Sequence, residues 1–178
     1  MNHEEILAFA AKCGFDAALL PTKDVPFNAE FRKSCEENLC GQYGVHYACP
    51  PACGTPAELQ QRIQEYETAL VMKSEWPIES YEDHEAIRIG KAHHNAEALR
   101  LLDAMRSAGH PANYAGASCC DLCEVCAGHT GQPCAHPERR FSCLSAYCVD
   151  VAETAKRCGM SFSWDTHKLT CYSIIAFR

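Results

Sequence analysis

Apolar residues recur at helical spacing in four stretches of this chain. The longest stretch runs from about residue 82 to 107, where a stripe that includes Leu99, Leu102 and Met105 fits a helix packed on a sheet. Gly109 follows as a natural end to this helix. The four predicted helices cover residues 3–12, 55–66, 82–107 and 149–157. Each has one apolar side, so the fold must supply a surface for these helices to cover.

Short apolar runs between these helices predict strands. The last run, residues 169–177, contains threonine, tyrosine and two isoleucines, which is typical of a strand. The predicted strands cover residues 17–20, 68–73, 113–117 and 169–177. Strands that alternate with helices predict an α/β fold, here a small, mixed, partly parallel sheet flanked by helices in a single domain over 1–178. The longest helix would connect two parallel strands.

Composition and charge narrow the classes of function. The chain has 178 residues, 47% of them hydrophobic, which favours a folded core over disorder. Its formal net charge of -7 argues against a nucleic-acid partner. No apolar run approaches the roughly 18 residues of a membrane span, and the first residues lack the pattern of a signal peptide. We therefore expect a cytoplasmic protein, in which 14 cysteines indicate metal or redox chemistry rather than disulfides.

The strongest functional signal is a run of cysteines in the second half of the chain. Cys120, Cys123 and Cys126 are three residues apart, and Cys134 follows. This C-x2-C-x2-C-x7-C spacing resembles the bacterial ferredoxin run, whose thiolates bind a [4Fe-4S] cluster, although the last gap is longer. Structural zinc sites usually combine two separated C-x2-C pairs. The spacing therefore favours iron–sulfur over zinc, and we interpret the neighbouring Cys119 as a spare thiol.

A second group of cysteines, Cys35, Cys40, Cys49 and Cys53, lies in a loop rich in glycine and proline. Such an irregular loop lets backbone N–H groups turn toward the sulfurs, as a cluster requires. Eight thiols in two groups of four predict two [4Fe-4S] clusters. For the remaining cysteines the expectation is packing in the core, which applies to Cys13, Cys143, Cys148, Cys158 and Cys171.

The two cysteine segments together resemble a known family. Residues 35–51, which end in Cys-Pro-Pro, and residues 120–138, which end in Pro-Glu, are similar to the bacterial and archaeal family of predicted metal-binding proteins called domain of unknown function 2284. The similarity continues through residues 149–159. This resemblance implies metal binding, with iron–sulfur as the expected form, and brings no established activity with it. Cys53 and Cys148 depart from the family pattern.

Three functions remain open from the sequence. The leading hypothesis is electron transfer by two [4Fe-4S] clusters, with a redox partner protein that has a basic surface. If Cys53 is not a ligand, the first cluster has an open iron, and the protein would be an enzyme that acts on a small-molecule substrate. The third hypothesis is a zinc-binding protein with a structural or regulatory role. Cys53 therefore decides between the first two.

Overall fold

A computed structural model describes all residues from 1 to 178 and contains five α-helices and five strands. The helices are α1 (His3–Lys12), α2 (Arg32–Glu36), α3 (Pro56–Gln64), α4 (His84–Ser107) and α5 (Val151–Arg157). The strands are β1 (Asp16–Pro21), β2 (Thr68–Pro77), β3 (Ala112–Gly116), β4 (Ser142–Cys143) and β5 (Lys168–Phe177). The predicted mixed α/β class is confirmed. No helix is both long enough and apolar enough to cross a membrane.

The five strands form one mixed sheet in the order β1-β2-β5-β3-β4. The pairs β1–β2, β2–β5 and β5–β3 are antiparallel, and β3–β4 is parallel. Because β2 and β3 are both antiparallel to β5, they run in the same direction, and α4 connects them as the sequence predicted. The last strand of the chain, β5, therefore lies in the middle of the sheet and is buried along most of its length.

Both faces of the sheet are covered by helices. On one face, Leu70 and Met72 of β2 pack in a core with α1 and α4. On the other face, Ala69 and Val71 pack in a core with α3 and α5. Successive side chains of a strand point to opposite faces, so β2 and β5 need apolar residues at nearly every position. This explains the apolar runs at residues 69–72 of β2 and 174–177 of β5.

A buried histidine joins α4 to the sheet. His94 is fully buried, with Nδ1 2.6 Å from the Ser74 hydroxyl of β2 and Nε2 2.7 Å from the Ser173 hydroxyl of β5. Burial lowers the pKa of His94 to about 3, so the ring is neutral at pH 7. The imidazole thus acts as a polar link between the helix and the two central strands.

Mild acid should destabilise the protein through His94. Below about pH 6.5 the unfolded chain binds a proton on this residue, whereas the folded chain does so only near pH 3. The unfolded state then holds more protons, so the free energy of unfolding falls as the pH falls, by up to about 1.4 kcal/mol per pH unit. Urea unfolding at pH 7.5 and 5.5 measures this loss. His94→Gln, which does not titrate, should show a smaller loss, and an equal loss would contradict the prediction.

Candidate metal centre

One cavity brings together cysteines from three separate parts of the chain. It has a volume of about 320 Å³ and lies between α2, the loop that follows it, and the carboxyl ends of β3 and β4. The cysteines that line this first cavity are Cys35, Cys40, Cys49, Cys119 and Cys143. Three of the four cysteines predicted for the first group therefore meet here. They are joined by two cysteines that the sequence did not mark as ligands.

The fourth member of the predicted group, Cys53, does not line the first cavity. It is 3% exposed and packs in the apolar core that also contains Leu59 and Ile63. Its Sγ lies 3.8 Å from the carbonyl oxygen of Gly54, and burial raises the pKa of the thiol. The structure thus gives Cys53 surroundings typical of a cysteine packed in the core.

Two thiols of the first cavity are electrostatically coupled. The neighbouring Cys119 raises the pKa of Cys49, and the same interaction lowers the pKa of Cys119. The direction of the shift favours a thiolate at Cys119. Burial raises the pKa of the Cys143 thiol to about 11. Its Sγ accepts a hydrogen bond from the backbone N–H of Ala146 at 3.4 Å.

A second cavity contains all four cysteines of the second group. It is small, about 20 Å³, and His46, His136 and Arg140 also line it. The Sγ of one of these cysteines accepts a hydrogen bond of 3.5 Å from the backbone N–H of Gly128. The four cysteines of this second cavity are Cys120, Cys123, Cys126 and Cys134, and the hydrogen-bonded sulfur belongs to Cys126.

Cys120 is a partly buried thiol of this group. Burial raises the pKa of Cys120, while hydrogen bonds from the backbone N–H groups of Leu122 and Phe141 act in the opposite direction. Such N–H donors stabilise negative charge on the sulfur. The same backbone geometry would stabilise a metal-bound thiolate at this position.

The two cysteine-rich loops pack closely against each other. The Tyr47 hydroxyl donates a hydrogen bond of 2.8 Å to the carbonyl oxygen of Gln132. Gly128 lies so near the first loop that an added Cβ would come within 2.4 Å of the Val45 carbonyl oxygen. A residue with a side chain at position 128 would therefore push the loops apart.

His46 joins the first loop to the beginning of the second. Its Nδ1 accepts a hydrogen bond of 3.0 Å from the N–H of Ala48, so Nε2 carries the proton. Burial lowers the pKa of His46, while the nearby backbone of Cys120 acts in the opposite direction. The histidine is thus a neutral link between the walls of the two cavities.

Asn95 of α4 orders the segment that follows β3. Its side-chain amide is buried and makes four hydrogen bonds of 2.8 to 3.1 Å. Its partners are Tyr114, Ala117, Ser118 and Asp121. Both amide hydrogens and the carbonyl oxygen are therefore fully used. No sequence pattern marks this asparagine, because its partners become neighbours only when α4 packs on the sheet.

The ordered segment carries two consecutive cysteines that serve different cavities. Cys119 lines the first cavity, and Cys120 lines the second. The backbone bends at residues 117–119, after the end of β3, and the two side chains line different cavities. A single peptide unit therefore separates the two cavities.

The family model of the predicted metal-binding proteins, domain of unknown function 2284, matches residues 18–177. The chain belongs to this family. The match covers nearly the whole chain and confirms the resemblance seen in the cysteine segments. No curated protein and no solved structure matches the chain significantly.

In the structure of this family member, no three histidine, cysteine, aspartate or glutamate side chains converge closely enough to bind one metal ion. The thiols line two cavities instead.

Proposed function

We propose that this protein binds two [4Fe-4S] clusters and transfers electrons. The observation that carries this proposal is the presence of five cysteines around one cavity and four around its neighbour. A cubane cluster needs four thiolates, and each cavity has at least that number. Sulfurs that surround a space of about 320 Å³ suit a multi-iron cluster. A zinc ion instead requires its sulfurs within about 2.3 Å of a single point.

The second cluster would be held by Cys120, Cys123, Cys126 and Cys134. The N–H groups directed at Cys120 and Cys126 support thiolate ligation there. Such hydrogen bonds also tune the reduction potential of a cluster. When bound, each cluster would supply one-electron redox chemistry, and the protein would hold the thiolates, order their hydrogen bonds and limit access of water.

The first cluster would be held by Cys35, Cys40, Cys49 and a fourth thiolate from the opposite wall. Cys119 and Cys143 are the candidates, because both line the cavity that Cys53 does not reach. This ligand set differs from the set expected from the sequence only in its fourth member. With four protein thiolates, no iron of the first cluster is open to a substrate. This favours electron transfer over catalysis at an open iron.

The negative charge of the chain favours a partner protein with a positively charged surface. The formal net charge of -7 would become more negative with thiolate-bound clusters, so a redox partner with a basic surface should dock most readily. A reducing compartment such as the cytoplasm would keep the 14 cysteines available as ligands.

Metal analysis after anaerobic purification tests the proposed function. We expect about eight iron and eight acid-labile sulfide per chain, because each cubane contains four of both. The protein should be brown, its visible absorption should bleach on reduction, and resonance spectra of the reduced form should report two clusters. Colourless protein with stoichiometric zinc, or iron without acid-labile sulfide, would contradict the proposal.

The small volume of the second cavity favours zinc as a second candidate at that position. A space of about 20 Å³ holds roughly one water-sized atom, and four cysteines are a common structural zinc site. The same analysis would then give about four iron and one zinc per chain. That outcome would leave one cluster, with the second group of cysteines acting as a structural site.

A further inference from the structure

A third cavity lies beside the first and has mainly apolar walls. Its volume is about 420 Å³, within the usual range for sites that bind small molecules. Four aromatic residues line it, and none of them was marked as functional by the sequence. They are Tyr81, Phe162, Trp164 and Tyr172.

The aromatic rings form one connected wall that reaches the surface. The ring centroid of Trp164 lies 5.6 Å from that of Tyr81 and 6.4 Å from that of Phe162. Trp164 is 79% exposed and Phe162 is 43% exposed, so two large apolar side chains meet solvent at the rim of the cavity. Neighbouring exposed aromatic residues beside a cavity are typical of a binding site.

Lys91 of α4 lies at the junction of the first and third cavities and lines both. It forms no ion pair with a carboxylate, unlike Lys73, Lys156 and Lys168. Its charge acts on Cys119 of the first cavity on one side and on Cys171 of the third cavity on the other. The structure thus presents a cation without a carboxylate partner in the wall of a mainly apolar cavity.

The preceding glycine lets α4 lie close to the sheet. An added Cβ at Gly90 would come within 2.9 Å of the Leu169 side chain, which itself lines the third cavity. A larger residue at position 90 would therefore displace this leucine side chain or move α4 away from β5. Gly90 thus brings the part of α4 that carries Lys91 close to the wall of the third cavity.

We propose that the third cavity binds a small organic anion with a planar apolar body. The rings of such a molecule would pack among the aromatic side chains, and its negative group would bind Lys91. A cation within apolar walls favours a ligand that is both charged and apolar, because such a ligand pairs the charge and covers the walls. This proposal goes beyond electron transfer and does not depend on which metal occupies the first cavity.

Two fluorescent probes with the same rings test the proposal. 8-Anilinonaphthalene-1-sulfonate carries a negative group, and N-phenyl-1-naphthylamine does not. We expect the sulfonate to bind the anaerobically purified protein at one site per chain. Lys91→Met should raise its dissociation constant about tenfold or more, because a charge-assisted contact in a partly enclosed site is lost, and should change that of the neutral probe by no more than about twofold.

Two further variants test whether probe binding depends on the third cavity or only on the overall charge of the protein. Lys156→Met removes an exposed lysine outside all three cavities and should leave the binding of both probes unchanged. Trp164→Ala removes an exposed ring of the wall and should weaken the binding of both probes. Because Trp164 is largely exposed, this variant should fold normally.

Three results would overturn the proposal. They are unchanged sulfonate binding in Lys91→Met, unchanged binding of both probes in Trp164→Ala, and sulfonate binding that does not saturate at one site per chain. Iron content is measured on the same samples, so a failure of the cluster proposal is seen separately. If Lys91→Met loses iron but binds the sulfonate normally, the lysine serves only the first cavity.

Discussion

Replacing Cys49 with alanine should lower the iron content from about eight to about four per chain, and replacing Cys53 in the same way should leave it near eight. Cys49 lines the first cavity together with Cys119, to which it is electrostatically coupled. Cys53 packs in the apolar core, so its loss removes a small buried group and no cluster ligand. Iron and sulfide analysis, with visible absorption as a second readout, measures both variants.

The matched control for this pair is Cys158→Ala. Cys158 is a half-buried thiol at the end of α5 that lines none of the three cavities, so its replacement should not change the iron content. About four iron in Cys53→Ala would return Cys53 to the ligand set and contradict our assignment. Full iron in Cys49→Ala would remove the first cavity as a cluster site.

The same measurement identifies the fourth ligand of the first cluster. Of Cys119→Ala and Cys143→Ala, the variant that loses a ligand should fall to about four iron, while the other should stay near eight. If neither variant loses iron, either thiol can act as the fourth ligand when the other is missing. The double variant then decides whether the opposite wall supplies a ligand at all.

Replacing Asn95 with alanine should destabilise the fold and remove metal from both cavities. The change leaves the Tyr114 hydroxyl and the Ala117 N–H without their shared acceptor, and each unpaired buried group costs about 1–3 kcal/mol. The segment that carries Cys119 and Cys120 then loses its attachment to α4. Urea unfolding and metal analysis of the same preparation measure the two effects.

Asn95→Asp distinguishes the hydrogen bonds that the amide oxygen accepts from those that the amide nitrogen donates. An aspartate keeps an acceptor for Tyr114 and Ala117 but loses both donated hydrogen bonds and places a second carboxylate against Asp121. Because a buried carboxylate next to Asp121 costs more than an unmade hydrogen bond, we expect Asn95→Asp at pH 7 to be at least as destabilised as Asn95→Ala. Arg88→Ala, which breaks one exposed ion pair on the same helix, should leave the stability almost unchanged. Full metal content in Asn95→Ala would show that the amide does not position the ligands.

Local sequence patterns predicted most of the elements but not their arrangement. The predicted helix over 82–107 is found as α4, because a long apolar stripe with a clear end is a local signal. β4 has only two residues, and α2 lies in a loop that appeared irregular, so neither has a detectable period. The central position of β5 follows from pairing with β2 and β3, which are distant in sequence.

At the candidate site, too, local sequence patterns predicted some residues, whereas others depend on contacts that are distant in sequence. The spacing of the second group of cysteines is local, and its four members do line one cavity. Cys143 is an isolated cysteine whose place depends on the parallel pairing of β4 with β3, which no spacing reveals. Cys119 was set aside because two neighbouring residues do not easily reach one cluster. That argument holds for a single cavity, whereas these two thiols line two different cavities.

The peptide unit between Cys119 and Cys120 has a consequence for how the two cavities fill. If Cys119 is the fourth ligand of the first cluster, metal that orders its backbone would also restrict the direction of the Cys120 side chain. By thermodynamic reciprocity, occupation of the second cavity would then favour occupation of the first to the same degree. Filling of the two cavities would be cooperative.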